Sequence, residues 1–294
     1  MKNKLIAVSL AAILALTAAA LGGCGSGKDA GGGKSGNNVT IAVPNDATNE
    51  ARALMLLEAN GYIKLKDGVS ITATVRDIED SNGIEFEEVE AAQIPNTLKD
   101  VDFGIINSNY AIDAGKNPVK DSLIIEGSAA EYANVLAVKE GNEKTDKTKA
   151  LVAALKSKEV VDFINEEYNG AVVSVVESPT DGYDADVNYD SLAGQTIKVA
   201  ASPAPHAEIL AVAKDILAKK NITLDIVEFT DYVQPNNVVD GGELDANYFQ
   251  HQPYLDDFNK QNGTKVVSVA AIHNEPMGLY AGKTSSLDGV TKLK

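Results

Sequence analysis

TIKVAASPAPHAEILAVAKDILAKKNITLDIVEF, residues 196–229, sets a short apolar strand (196–201), a helical run (207–219) and a second apolar strand (222–229) end to end. That order is a βαβ unit, in which a crossover helix returns the chain parallel to itself. The same alternation begins at 39–43, an apolar strand followed by the turn Pro44-Asn45-Asp46. A helix is expected over 49–60, with Ala51, Leu54, Met55 and Leu57 at helical spacing and Gly61 as its stop. Strands are expected at 71–75, 85–89, 101–106 and 133–138, a short helix interrupted by Pro95 at 91–98, and one continuous helix at 148–163. After the opening unit come a turn into a short helix at 231–240, a strand at 245–248, a helix at 252–261 and a strand at 266–271. Between the two series, 173–195 is acidic, carries Pro179, Gly182 and Gly194, and has no amphipathic period. It reads as a linker or surface loop. Two βα series predict an α/β chain of two lobes, each a mostly parallel sheet flanked by helices. Ligands of such folds favour the cleft where strand C-termini meet.

The 294 residues carry 26 Lys+Arg against 42 Asp+Glu, a formal net charge of −16. Nucleic acid and other polyanions are thereby excluded as main partners. One cysteine cannot form a disulfide within the chain, and with three histidines it leaves little for an all-nitrogen/sulfur metal site. Only Arg52 and Arg76 are arginine, which raises the question of what each holds. At the N-terminus, Lys2 and Lys4 precede an apolar run from Leu5 to Leu21 and then Gly22-Gly23-Cys24. The run approaches the ~20 residues of a membrane span, but the basic start and small-residue exit read as a signal peptide over 1–23. Leu21-Gly22-Gly23-Cys24 resembles the lipobox of bacterial lipoproteins, in which the cysteine is acylated (palmitate) and becomes the new N-terminus. Lipidation of Cys24 would anchor the exported protein to the outer face of the cell membrane. The Gly/Ser-rich stretch 24–38 then reads as a flexible tether.

Several runs are distinctive: Ala42-Val-Pro-Asn-Asp46-Ala-Thr-Asn49-Glu-Ala-Arg52-Ala-Leu54, Asp102-Phe-Gly-Ile-Ile-Asn107-Ser-Asn-Tyr110 and Glu131-Tyr-Ala-Asn134-Val in the first half. In the second half stand Ala201-Ser-Pro-Ala-Pro-His206-Ala-Glu-Ile-Leu210, Glu228-Phe-Thr-Asp-Tyr232-Val-Gln-Pro-Asn236 and Leu244-Asp-Ala-Asn-Tyr-Phe249-Gln-His251-Gln-Pro-Tyr254-Leu. Together they resemble the methionine-binding lipoproteins of bacterial ABC importers, the NlpA type, over nearly all of the chain outside the lipobox, tether and linker. The segment order differs from the family's. There the His-Ala-Glu-Ile-Leu segment lies near the mature N-terminus and Pro-Asn-Asp follows the Ser-Leu-Asp segment, whereas here Pro-Asn-Asp comes first and Ser286-Leu287-Asp288 stands near the end. This resembles a circular permutation in which 173–195 joins the old termini. The resemblance implies a two-lobed, type II periplasmic-binding-protein-like fold. One lobe is expected over 39–129, the second over 130–282, and a tail, 283–294, returning to the first. The crossings near 128–133 and 280–285 would form the hinge.

A guanidinium fork suits a carboxylate, and Arg52 is expected in the first turn of its helix, where free N–H groups add positive potential. On residues alone it could equally pair with Glu50 or a neighbouring acid. The resemblance places Arg52 at the family's carboxylate-binding position, with Asn49 nearby. Asn107 and Asn134, at apolar strands, match asparagines that bind the amino acid, and Asn109 is a neighbour. Tyr232, Phe249 and His251 match the side-chain pocket, with Tyr254 on the same wall. The implied ligand is methionine, another apolar amino acid or small peptide being the alternative. The implied partners are an ABC permease and its ATPase. The protein is expected to be a monomer and not an enzyme, with no cofactor. His206, His251 and His273 sit in different loops without local pairing, so the rival, a metal-binding surface lipoprotein, finds little support. Ser202 near His206 lacks the Gly-x-Ser-x-Gly elbow of a hydrolase.

Overall fold

The computed structural model describes residues 37–127 and 130–293. The expected signal peptide, Cys24 and all of the tether but its last two residues lie outside them. Among the described residues no helix is long and apolar enough to cross a membrane. The first lobe holds β1 (Val39–Pro44), the small pair β2 (Lys64–Leu65) and β3 (Ile78–Asp80), β4 (Ile84–Val89), β5 (Phe103–Ile106) and β6 (Ser122–Ile125). Its helices are α1 (Ala47–Ala59), α2 (Ile94–Thr97), α3 (Ser108–Asp113) and α4 (Pro118–Asp121). The second lobe runs from β7 (Ala133–Lys139) through α5 (Asp146–Leu155), α6 (Lys158–Tyr168), β8 (Val173–Ser174), α7 (Tyr189–Leu192), β9 (Thr196–Ala201), α8 (Glu208–Ala218) and β10 (Thr223–Glu228). It continues through α9 (Gln234–Asp240), β11 (Ala246–His251), α10 (Gln252–Asn262) and β12 (Val266–Asn274), and β13 (Gly278–Ala281) closes the series.

The sheets are ordered β4-β1-β5-β13-β6 and β10-β9-β11-β7-β12-β8. In each, the βα units pair in parallel, as expected: β4, β1 and β5 in the first sheet, and β10, β9 and β11 in the second. The remaining pairs are antiparallel: β7 lies between β11 and β12, β8 pairs with β12, and β13 lies between β5 and β6. Strand β13 had no counterpart in the sequence reading. It pairs with β5 and β6, so the chain returns to the first lobe between Asn274 and Gly278, earlier than the expected 280–285.

Strand alternation lays the core. Ile41 and Val43 pack with Ala51, Leu54 and Leu57 of α1, while Ala42 between them joins Ile94, Leu98 and Tyr280 on the opposite face. Full burial of each such Leu or Ile contributes roughly 1.5–3 kcal/mol. In the second lobe Ile197 and Val199 of β9 pack with Ile209, Leu210, Ile216 and Leu217 of α8. Three local expectations change. The stretch 71–75 is a turn, closed by Ala73 N–H on Ser70 O at 3.0 Å, with Thr74 N–H bonded to Asp77. The single helix over 148–163 is two helices, because the Ser157 side chain accepts from Val160 N–H and starts α6. The linker 173–195 is a packed strap: Val187 and Leu192 are buried in the core of the second lobe, and the Tyr183 hydroxyl donates to Ile216 O at 3.1 Å.

The described residues begin at Asn37, which with Asn38 falls inside the expected tether. The Asn37 carboxamide donates to Thr291 O at 2.9 Å and accepts from Thr291 N–H at 2.6 Å, and Leu293 N–H reaches Gly61 O. The two ends of the described chain are thus hydrogen-bonded side by side. Just after β13, Gly282 donates to Asp102 O, and a Cβ there would stand 2.4 Å from Val101 O and 2.5 Å from Leu98 O. Gly282→Ala is expected to lower stability by about 2 kcal/mol or more in urea unfolding, since carbonyls of the backbone cannot step aside. Gly127→Ala, which meets nothing within 4 Å, serves as control, and equal midpoints for the two would refute this packing.

Candidate functional site

All eight residues singled out from the sequence line one cavity. From the first lobe come Asn49 and Arg52 on α1 and Asn107 at the end of β5. From the second come Asn134 in β7, Tyr232 after β10, Phe249 and His251 in β11 and Tyr254 in α10. Asn109, flagged as a neighbour, is there too. The sequence reading missed Ser108, Gln250 and Glu275. Glu275 stands two residues after His273, in a stretch with no motif to set it apart from the chain's other acids.

At the polar end, Asp46 caps α1: its Oδ1 accepts from Asn49 N–H at 3.0 Å and from Asn49 Nδ2 at 2.9 Å. Burial raises the Asp46 pKa, and its bonds from Asn49 and Thr48 oppose the rise. With Nδ2 committed to Asp46, Asn49 presents Oδ1 inward. That oxygen accepts from Asn107 Nδ2 at 2.9 Å and faces His251 Nε2 at 3.1 Å. His251 Nδ1 accepts from Tyr254 N–H and so caps α10. The neutral ring therefore carries its proton on Nε2. Asn107 Oδ1 is buried and has no partner among the described residues.

Arg52 departs from expectation in two respects. Helix α1 starts at Ala47, so Arg52 lies in its second turn, and Asp46 caps the N-terminus through Asn49 N–H. Its guanidinium is already paired, Nε with Glu126 Oε1 and Oε2 at 2.9 and 3.0 Å, and Nη2 with Glu126 Oε2 and with Glu275 O at 2.7 Å. Tyr132 stacks under Cζ at 4.3 Å. Only Nη1 has no acceptor among the described residues, so Arg52 offers a further anion one nitrogen, not its whole fork.

The aromatic wall is a mutual cluster, Tyr232 with Phe249 at 5.8 Å, Tyr232 with Tyr254 at 5.6 Å and Phe249 with Tyr254 at 6.0 Å between centroids. The pairing of β11 with β7 slips between Tyr248 and Gln250, a bulge that leaves Phe249 without a cross-strand partner and re-aims it. The Tyr232 hydroxyl donates to Asn109 Oδ1 at 2.6 Å and that of Tyr110 to Thr230 O at 3.2 Å, so aromatic side chains also tie the lobes together. Behind the wall, Asn236, Asn247 and Gln250 exchange buried amide bonds of 2.7–2.9 Å that hold α9 on β11.

His206 and His273, separate in sequence, converge on Glu275. Their Nε2 atoms lie 3.2 and 2.7 Å from Glu275 Oε1, and the three ligand atoms fall within 4.8 Å of one another. Two imidazoles and a carboxylate are a donor set that a divalent metal would accept. Here each nitrogen facing the carboxylate has a proton to donate, while His206 Nδ1 is buried without a partner among the described residues. His273 Nδ1 bonds the Tyr248 hydroxyl, and His206 Nε2 also meets Asn134 Oδ1 at 3.0 Å.

A buried cavity with amides and one guanidinium nitrogen at one end and soft aromatic rings at the other is built to hold a small amphipathic molecule. The sequence profile of the NlpA lipoprotein family matches residues 35–176 and 197–293, and the chain belongs to that family. Family members are substrate-binding proteins, not enzymes. Membrane lipoprotein TpN32 of Treponema pallidum is 44% identical over 135 residues, 46% of this chain and 50% of that protein. The D-methionine-binding lipoprotein MetQ of Escherichia coli (strain K12) is 39% identical over 136 residues, 45% of this chain and 50% of that protein. A solved nutrient binding protein from Burkholderia cenocepacia bound to methionine is 41% identical, with a TM-score of 0.45 over 46% of this chain and 58% of that one. The chain spans about half the length of the curated relatives it matches.

Burial pushes all three histidines down, His206 and His273 to about 3 and His251 well below 6.5, with the Arg52 charge adding to the effect on His251. Since the unfolded chain takes up these protons near 6.5 and the folded chain refuses them, the histidines stabilise the fold fully above 6.5. That contribution is lost as pH falls from 6.5 toward 3. The raised carboxyls of Asp46 and Glu275 act in the opposite sense, above their ordinary 3.8 and 4.5. The ring resonances of the folded protein should therefore stay fixed from pH 7.5 to 5 in an NMR titration. A ring titrating near 6.5 would contradict the burial described.

Proposed function

We propose that the chain is the substrate-binding lipoprotein of an ABC importer and that it captures free methionine between its lobes. The observation that carries this reading is the convergence of Arg52, Asn49, Asn107 and Asn134 with Tyr232, Phe249, His251 and Tyr254 on one cavity. The ligand carboxylate meets Arg52 Nη1. The thioether lies against the aromatic wall, where sulfur–ring contacts contribute roughly 0.3–1.5 kcal/mol each. No bond is made or broken. The ligand touches both lobes at once and so favours the closed arrangement over an open one, and delivery to the permease follows from reopening. The methionine named in the descriptions of two relatives supports the choice of ligand.

In this reading Cys24 carries the lipid, the Gly/Ser-rich tether hangs from the first lobe, and a single copy docks on the importer. The reading includes a circularly permuted segment order. Support comes from the break in the family match at 177–196, from relatives that each align over only about half of the chain, and from chain ends that are hydrogen-bonded together. Ends that lie together are what a rotated chain order requires.

The test is calorimetric titration of the full-length chain, refolded to strip carried-over ligand, with L- and D-methionine and a panel of amino acids. One-to-one saturable binding of methionine is expected. Phe249→Ala should weaken methionine more than alanine, because it removes side-chain contacts that alanine never makes. Cooperative melting without any methionine response would refute the proposal, and equal losses for both amino acids would refute the aromatic wall as the side-chain pocket.

A further inference from the structure

Away from the two crossings the lobes meet again, at a seam built from two short runs. Asn109 and Tyr110 belong to α3 of the first lobe, and Thr230 and Tyr232 lie between β10 and α9 of the second. The runs exchange hydrogen bonds reciprocally. The Tyr110 hydroxyl donates to Thr230 O at 3.2 Å, and the Tyr232 hydroxyl donates to Asn109 Oδ1 at 2.6 Å. The two rings lie 4.9 Å apart and tilted by 32°, within the range of favourable aromatic pairs. Tyr232 is fixed from its own lobe as well, since its backbone carbonyl accepts from the Tyr254 hydroxyl at 2.9 Å. The seam stands between two cavities. The inner one is the cavity described above, lined by Asn109 and Tyr232 but not by Tyr110. The outer one is lined by Asn109, Tyr110 and Thr230 together with Glu90, Gln93 and Asp113. The last three are exposed, so the outer cavity faces solvent. Tyr110, itself buried, thus stands on the solvent side of the wall that Tyr232 presents to the ligand.

We propose that Tyr110 is the gate of the ligand cavity: a positioning residue that touches no ligand atom, yet sets how long the lobes stay closed over whatever is bound. This rests on the amino-acid reading of the site and on its two-lobed capture. A ligand leaves when the lobes part, and parting breaks the Tyr110–Thr230 bond and separates the two rings in addition to the ligand's own contacts. The seam's contribution does not depend on which side chain fills the cavity. It therefore strengthens every ligand by a similar factor, through the share of molecules that are closed. It also acts on one rate. The seam forms after the ligand has entered, so weakening it speeds release and leaves capture unchanged. A residue of the cavity wall such as Phe249 behaves differently, because its contacts are made with some side chains and not with others.

The experiment uses the full-length wild type, Tyr110→Phe and Tyr110→Ala, with a thermal melt of each. Methionine and alanine affinities are measured by calorimetric titration, and release by chasing radiolabelled methionine with excess unlabelled methionine. Tyr110→Phe keeps the ring and removes one interlobe hydrogen bond, so methionine affinity should fall by about 3- to 10-fold. Release should accelerate by the same factor, and alanine should weaken as much as methionine. Tyr110→Ala removes the ring pair as well and should release methionine faster still; Tyr110→Phe provides the test should Tyr110→Ala fail to fold. Unchanged affinity and release in Tyr110→Phe would overturn the proposal. So would a loss that falls on the association rate, or one in Tyr110→Phe that weakens methionine and spares alanine. If wild type binds no amino acid at all, the functional reading fails first. The seam is then read by X-ray scattering of the ligand-free chain, where Tyr110→Ala should be more expanded than wild type, and equal radii of gyration would overturn the gate as well.

Discussion

The contact on which the rest of the structure depends is the ion pair of Arg52 with Glu126. Arg52 belongs to helix α1 of the first lobe, and Glu126 opens the crossing to the second. The same guanidinium donates to Glu275 O on the returning crossing, and Glu126 Oε2 accepts from Met277 N–H there at 3.1 Å. One cation and one carboxylate thus bind both connections between the lobes to a single helix. Taking such a pair out of water costs several kcal/mol per ion. That cost is offset because the Nε and Nη2 protons and both carboxylate oxygens are engaged, with the Tyr132 ring covering the guanidinium face. The Arg52 side chain, 4% exposed, is held in place by Glu126 and Glu275 O.

From that placement the remaining site geometry follows. Asp46 orients Asn49, Asn49 orients Asn107 and His251, and His251 in turn caps the helix that carries Tyr254. Each amide in the chain is set by its predecessor, so the polar end is rigid although its parts come from both lobes. The aromatic end is held differently, by ring packing and by hydroxyl bonds that cross from one lobe to the other. A ligand that fills the space between these ends replaces contacts with water and joins two halves already complementary.

Much of this was legible in the residues. The βα alternation located β1, α1, β9, α8 and β10, because strand and helix periods differ and each run has punctuation at its ends. The eight candidate residues were singled out through motifs, and their side chains line one cavity. What stayed hidden depends on partners distant in sequence. Strand β13 is four residues long and has no alternation to betray it; only β5 and β6 on either side make it a strand. Glu126 and Glu275 look like any acid in a chain of 42 Asp and Glu, and their burial is decided by Arg52 and by two histidines that come together only in the fold. The strap 173–195 lacks amphipathic period because it packs through isolated anchors, Tyr183, Val187 and Leu192, spaced irregularly along it.

The most direct test of the Arg52–Glu126 pair as organiser of the site is Glu126→Gln, with unfolding free energy and methionine affinity measured on the same preparation. If the pair positions Arg52 and ties both crossings, the neutral isostere strands a buried guanidinium, and stability and affinity fall together, stability by roughly 3–5 kcal/mol. If instead Glu126 merely competes with the ligand for Arg52, its neutralisation frees the guanidinium, and methionine binds as tightly as before or more tightly. That second result would contradict the account.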